Sequence, residues 1–245
     1  MFGSELQSAL TAMGLSVTEE QLRQFDVFHE QLIETNKVMN LTAITEPKEV
    51  AIKHMADSLS CYEAACFTAG ASVLDLGTGA GFPGLPLLIY RPDLKVTFFD
   101  SLQKRLTFLQ KLVDQLGLTA DFLHGRAEEA AHQPTYRSAF DVVTSRAVAR
   151  LNILAEWALP YVKQDGYFIS LKGAQYEDEL KEAEKALKIL GGTVARVKAV
   201  QLPGLDEVRA VIYIQKTGES PQKISAQAEN GCEKILYKGE VQLCL

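Results

Sequence analysis

Apolar positions in the first quarter of the chain recur at helical spacing. Over residues 18–40, Leu22, Phe25, Phe28, Leu32 and Ile33 fall on one face, and Thr18 with Gln21 three residues later forms a capping-box start. A second helical stretch spans residues 47 to about 66, with Pro47 in the tolerated first turn and Lys53, His54 and Asp57 along it. Residues 1–66 are therefore expected to be all-helical.

The period changes after Gly70. Ser72-Val73-Leu74-Asp75-Leu76 is a short apolar run ending in glycines, and a helical segment follows as far as Tyr90. Strand-like runs return at residues 95–100, 120–124, 140–145 and 167–172, with helical patterns between them. This alternation predicts an α/β fold with a doubly wound, mostly parallel, Rossmann-like sheet. Residues 193–202 and 208–216 are two further strand-like runs joined by Leu202-Pro203-Gly204, too close for a helical crossover. They are expected to add an antiparallel hairpin at one edge. The organisation expected is an N-terminal helical extension at 1–66, a sheet domain at 67–223 and an atypical tail at 224–245. There is no internal repeat.

Composition narrows the function classes. At 245 residues the chain can bury a sizeable core without staples, and 47% hydrophobic with 23% charged residues is ordinary for a globular protein. The opening Met1-Phe2-Gly3-Ser4-Glu5 lacks a basic and then apolar leader, and no apolar run approaches membrane-spanning length, so a cytoplasmic location is expected. Cys61, Cys66, Cys232 and Cys244 show no CxxC spacing and no nearby His pair, so no metal site is expected. A net charge of -6 means that no whole-molecule field draws the chain onto nucleic acid, and an RNA site must be a local basic patch.

The chemistry concentrates after the first strand. In Asp75-Leu76-Gly77-Thr78-Gly79-Ala80-Gly81, bare glycine backbone lets a ligand approach the strand ends closely. The same stretch continues Phe82-Pro83-Gly84 and so contains a formal GxGxxG, with Asp100 at about the distance of a dinucleotide ribose acid. Two details favour S-adenosyl-L-methionine instead. Asp75 stands two residues before the first glycine, where a carboxylate suits an ammonium group, and Phe82-Pro83 falls where a pyrophosphate wants free helix N-terminal amides. A tight turn without a ligand and a dinucleotide site remain the alternatives. Asp100 is assigned to ribose binding, although Ser101 beside it can cap the next helix. Ala127 and Glu128 follow the third strand, where a backbone amide and an acidic helix start suit the adenine edge. The fourth strand ends Thr144-Ser145-Arg146-Ala147, where some methyltransferases carry Asn-Pro-Pro-Tyr, and the chain has no Pro-Cys pair for cytosine-C5 chemistry. Arg146 suits an oxygen-rich acceptor or a phosphate.

These segments resemble the bacterial small-subunit ribosomal RNA guanine-N7 methyltransferases, the glucose-inhibited division protein B family. The resemblance rests on Asn36 through Ala43, Lys53-His54 with Asp57-Ser58, Asp75 through Pro83, Asp100-Ser101-Leu102 with Lys104-Arg105, Gly125 through Glu128, Ser145-Arg146-Ala147 and Leu171-Lys172-Gly173. It implies methyl transfer to guanine N7 in ribosomal RNA, with Gly77, Phe82, Ala127, Glu128 and Arg146 at the family's cofactor positions, beside Asp75, Gly79, Gly81 and Asp100 from the loop reading. Guanine N7 carries a lone pair at neutral pH, so no catalytic base, metal or covalent intermediate is required. Catalysis then rests on alignment, with Arg126 and Arg146 as the candidate catalytic residues in base-positioning roles. Lys104, Arg105, Arg150 and Lys172, with Lys37 and Lys53, are candidate phosphate contacts. A non-catalytic RNA-binding or assembly factor and a nicotinamide-dependent oxidoreductase are the competing classes.

The resemblance stops at Ser220-Pro221-Gln222-Lys223, where relatives continue with a basic tail beginning Lys-Tyr-Pro-Arg. If Ile224 to Lys234 are written with suitable codons, deleting one base yields Tyr-Pro-Arg-Lys-Pro-Lys-Thr-Val-Ala-Lys, so residues 224–245 are expected to be a frameshifted segment without a role in function. Sequencing the source gene tests this, and a gene that encodes Ile224 onward in frame contradicts it. So does a truncation after Lys223 that markedly destabilises the fold.

Overall fold

The computed structural model describes residues 2–221, together with β8 (Ser225–Ala226) and β9 (Ile235–Leu236), which pair antiparallel. The frameshift reading of the tail otherwise falls outside the described residues.

The chain opens with α1 (Phe2–Ala12) and α2 (Glu19–Met39). The capping box at the start of α2 forms as expected: Thr18 Oγ1 accepts from the Gln21 amide, and the Gln21 side chain accepts from the Thr18 amide. Burial of Phe25, Phe28 and Leu32 stabilises α2 against the body by roughly 2 kcal/mol each. The next helical stretch is shorter than its sequence pattern. It consists of α3 (Pro47–Glu49), a π-helical turn (Val50–Ala56) and α4 (Asp57–Leu59). It ends before residue 66 because side chains from the C-terminal hairpin take its last carbonyls. Lys198 donates to Ser60 O, and Tyr213 to Cys61 O.

Strands and helices then alternate: β1 (Ser72–Leu76), α5 (Gly84–Tyr90), β2 (Lys95–Asp100), α6 (Gln103–Gln115), β3 (Asp121–His124), α7 (Ala127–Ala130), β4 (Phe140–Arg146), α8 (Leu151–Ala158), β5 (Val162–Lys172) and α9 (Tyr176–Ile189). The hairpin strands are β6 (Gly192–Val200) and β7 (Arg209–Lys216). The seven-stranded sheet has the order β3-β2-β1-β4-β5-β7-β6. Its first five strands are parallel, and β7 joins β5 and β6 by antiparallel pairing. The chain order reverses between β1 and β4, and in open α/β sheets ligands bind outside the carboxyl ends of the strands at that switch.

Period-two alternation divides the core. Val73, Phe98, Val142 and Ile169 face the N-terminal helices with α5 and α6, whereas their neighbours Leu74, Phe99, Val143 and Phe168 face α8 and α9. The N-terminal helices thus share one apolar core with a face of the sheet, and this seats α2 and the π-turn over the switch point. Among the described residues no helix is long and apolar enough to cross a membrane.

Close packing at the start of α5 gives a stability test. A Cβ on Gly84 would lie 2.7 Å from Asp75 Oδ2 and 2.8 Å from the Phe98 ring, whereas one on Gly173 meets nothing within 4 Å. Gly84→Ala is expected to lower the unfolding free energy by about 1–3 kcal/mol in urea titrations, and Gly173→Ala to leave it nearly unchanged. Equal midpoints for the two variants would contradict this packing.

Candidate active site

The glycine loop after β1 is shaped by three positive-φ glycines, Gly77 at 71°, Gly79 at 58° and Gly81 at 102°. Asp75 holds the loop from below. It is fully buried, and its carboxylate accepts from Thr78 Oγ1 at 2.5 Å, the Gly84 amide at 3.0 Å and Thr144 Oγ1 at 3.2 Å. Burial raises its pKa to about 6, against the lowering effect of those hydrogen bonds. This corrects the expectation that Asp75 meets an ammonium group, because its oxygens point into the protein. Gly81 also turns inward, where a Cβ would lie 2.8 Å from Leu109 and 3.2 Å from Leu85. The Gly84 amide is used by Asp75 and the Leu85 amide by Gly81 O, so the start of α5 offers a pyrophosphate little.

Above the loop lies a cleft of about 430 Å³, walled by Gly77, Gly79, Phe82, Asp100, Arg105 and Arg146 and roofed by Leu41 and Thr42. The roof is held by Asn36, whose side-chain oxygen accepts from the amides of Leu41 at 2.6 Å and Thr42 at 2.9 Å. Asp100 accepts from the Gly79 amide at 2.9 Å, the Leu102 amide at 2.9 Å and Arg105 at 3.3 Å. Its carboxylate has about four lone-pair sites, which leaves capacity for a ribose hydroxyl. Ser101 does not cap α6; Leu102 occupies the cap position and is itself held by Asp100. Bare backbone at Gly77 and Gly79, a spare acceptor and a volume within the usual ligand range together fit S-adenosylmethionine.

A second cleft, of about 550 Å³, opens beside the first at the ends of β4 and β5. His54, Arg146, Ala147 and Val148 belong to the walls of both. Arg146 is the junction. One guanidinium nitrogen donates to Asp57 at 2.8 Å and to Lys53 O at 3.1 Å, the other approaches His54 Nδ1 at 3.3 Å, and the group lies 4.7 Å from the Phe82 ring centre. Arginine only donates, so His54 Nδ1 accepts and Nε2 carries the proton, donating to Thr42 Oγ1 at 2.7 Å. The ring stacks on Phe82 at 4.6 Å. Burial, and then the Arg146 charge, depress the His54 pKa to about 3, which keeps the imidazole neutral. His54 was not among the expected site residues, although its place in Lys53-His54-x-x-Asp57, one helical turn from Asp57, was the available signal.

The remaining expected residues divide. Arg126 is exposed and pairs with Glu128 at 3.6 Å. It follows β3, three strand positions from the end of β4, or roughly 14 Å, and it lines neither cleft. Ala127 and Glu128 begin α7 beside the end of β2, outside the walls of both clefts, with Ala127 O accepting from Tyr161. Lys172 is not a free phosphate contact: it is buried, donating to Ala149 O at 2.6 Å and pairing with Glu179 at 2.7 Å. Arg105 pairs with Asp100 inside the first cleft, Arg150 with Glu182, Lys53 with Glu49 and Glu207, and Lys37 with Glu34. Lys104 lies exposed on the first turn of α6.

A glycine loop at the switch point, a buried aspartate at the end of the next strand and a second cleft beside the first fit the S-adenosylmethionine-dependent methyltransferase class. Solved structures with this fold include TrmN from Thermus thermophilus, with a TM-score of 0.51 at 21% identity over 66% of this chain and 48% of that one. Another is the fibrillarin pre-rRNA processing protein of Methanococcus jannaschii, with a TM-score of 0.52 at 14% identity over 67% and 75%. More specifically, the family model described as rRNA small subunit methyltransferase G matches residues 21–208, and the chain belongs to that family. It is 46% identical to the Ribosomal RNA small subunit methyltransferase G of Desulforamulus reducens over 217 residues, 88% of this chain and 90% of that one. Against the protein of the same name from Lachnoclostridium phytofermentans it is 48% identical over 214 residues, 87% and 88%.

Two measurements probe the geometry. A Cβ on Gly77 would lie 2.6 Å from Val148 Cγ2 in a backbone conformation that L side chains avoid. Gly77→Val is therefore expected to abolish S-adenosylmethionine binding in calorimetry, and unchanged affinity would remove the cofactor from this cleft. The second concerns pH. Because the folded pKa of His54 is about 3 against 6.5 unfolded, the unfolded state binds the extra proton between those values, and stability falls as pH drops through that window. Asp75, raised to about 6, acts in the opposite sense between pH 3.8 and 6. The stability gap between wild type and His54→Gln should therefore narrow, by on the order of 2 kcal/mol between pH 7 and 4.5. A constant gap would mean that His54 is not held neutral.

Proposed function

We propose that this chain transfers a methyl group from S-adenosylmethionine to N7 of a guanine in small-subunit ribosomal RNA, working in the cytoplasm on the RNA or an assembling subunit. The observation that carries the reading is that two clefts of ligand size share one wall, made of His54, Arg146, Ala147 and Val148, so that a base in one faces the cofactor cradle in the other. The cofactor supplies an electrophilic sulfonium methyl. The chain's own residues bind, orient and exclude water. No base is needed for a nucleophile that already carries a lone pair, and His54, with both ring nitrogens hydrogen-bonded, is committed to the wall instead.

Charge in the acceptor cleft suits this acceptor. The lining cations Lys53, Arg146, Arg150, Lys172 and Arg209 are matched by Glu49, Asp57, Glu179, Glu182 and Glu207. A guanine ring that becomes cationic at N7 therefore meets a balanced wall rather than a field that repels it. Phosphates would be met at the rim, where the exposed pair of Arg150 with Glu182 is weak enough to exchange partners.

Mapping N7-methylguanine in ribosomal RNA from cells with and without the gene tests the reading, and identical maps contradict it. At saturating cofactor, Arg146→Ala is expected to reduce methyl incorporation at least tenfold, and Lys188→Ala, on the exposed face of α9, to leave it nearly unchanged. Equal rates for wild type and Arg146→Ala would remove Arg146 from the mechanism.

A further inference from the structure

We propose that Glu179 reads the Watson–Crick edge of the acceptor guanine through Oε1 and so sets base specificity, an assignment that rests on the guanine-N7 reading above. Glu179 lies in the first turn of α9, on the wall of the acceptor cleft. Its Oε2 accepts from Lys172 Nζ at 2.7 Å and from the Leu151 amide at 2.8 Å. Lys172 is fixed in turn by Ala149 O at 2.6 Å. Both of these Glu179 bonds go to Oε2, and the side chain as a whole is only 13% exposed. One oxygen is thus anchored by two donors on the wall of the cleft, which leaves Oε1 as the oxygen for a ligand.

Its position matches the far edge of the base. The junction stands at the end of β4, and Leu171 and Lys172 end β5 one strand spacing away, about 4.8 Å, with Glu179 paired to Lys172. In guanine, N7 and O6 share one edge, whereas N1–H and the 2-amino group lie on the opposite side. A guanine that turns N7 towards Arg146, Ala147 and Val148 turns N1–H and N2–H towards the β5 wall, where a carboxylate oxygen accepts both. Adenine would set the N1 lone pair against that oxygen, and hypoxanthine, lacking the 2-amino group, would leave half of it unmet. A site built around buried hydrogen bonds rejects such analogues strongly.

The test uses the full-length chain and ribosomal RNA assembled with guanine or inosine at the methylated position. Wild type is expected to prefer guanine by at least about tenfold in kcat/KM, the worth of one hydrogen bond to a charged group. In Glu179→Gln the amide oxygen stays with Lys172 and Leu151, and the NH2 faces the cleft, opposing N1–H in both substrates. The preference is then expected to fall to one or below, with S-adenosylmethionine affinity retained. A structural role alone would slow both substrates equally, and an unchanged ratio overturns the proposal. So does a wild-type ratio near one, which needs no variant to fold. Absence of transfer to either RNA would instead overturn the guanine-N7 reading itself.

Discussion

A buried ion pair, Arg146 with Asp57, ties the N-terminal helices to the end of the fourth strand, and the division into two clefts depends on it. Both side chains are largely shielded, at 14% and 5% exposure. A buried pair of this kind is weak evidence for net stability, but removing one partner typically costs about 3–5 kcal/mol because the other charge is left behind. Here Arg209 also pairs with Asp57 at 3.3 Å, so the carboxylate holds cations from β4 and from the hairpin together. The arrangement makes Arg146 a wall with its outer nitrogens occupied.

The sheet was legible because parallel strands covered on both faces read as short apolar runs, and the capping residues of α2 carry their own signal at Thr18 and Gln21. The hairpin was legible from the short link through Pro203 and Gly204. The early end of the second helical stretch was not, since it is decided by Lys198 and Tyr213, more than 130 residues away. The glycine loop was legible as the wall of a cleft, whereas what its residues can do depends on which way each side chain turns. Asp75 and Gly81 turn inward, while Gly77, Gly79 and Asp100 line the cleft. Arg126 looked equivalent to Arg146 in sequence; only strand order separates them.

Charge was the least legible property. A lysine beside a strand end reads as a phosphate contact, but Lys172 spends its charge on Glu179 and a carbonyl, and Arg105 on Asp100. Pairings that span 7 residues for one and 5 for the other leave no distinctive pattern in a sequence where charged residues are 23% of the chain. His54 was hidden for a related reason. Its neutrality follows from burial beneath Phe82 and from the neighbouring guanidinium, neither of which is adjacent in sequence.

The cofactor is assigned to the cleft above the glycine loop and the acceptor to the cleft beyond Arg146. Amide hydrogen exchange with and without S-adenosylhomocysteine tests this assignment directly, because the two clefts are walled by different backbone segments. Slower exchange is expected in residues 41–42, 77–80 and 100–102, with residues 173–176 unchanged. Protection centred on residues 173–179, with the glycine loop unaffected, would contradict the account.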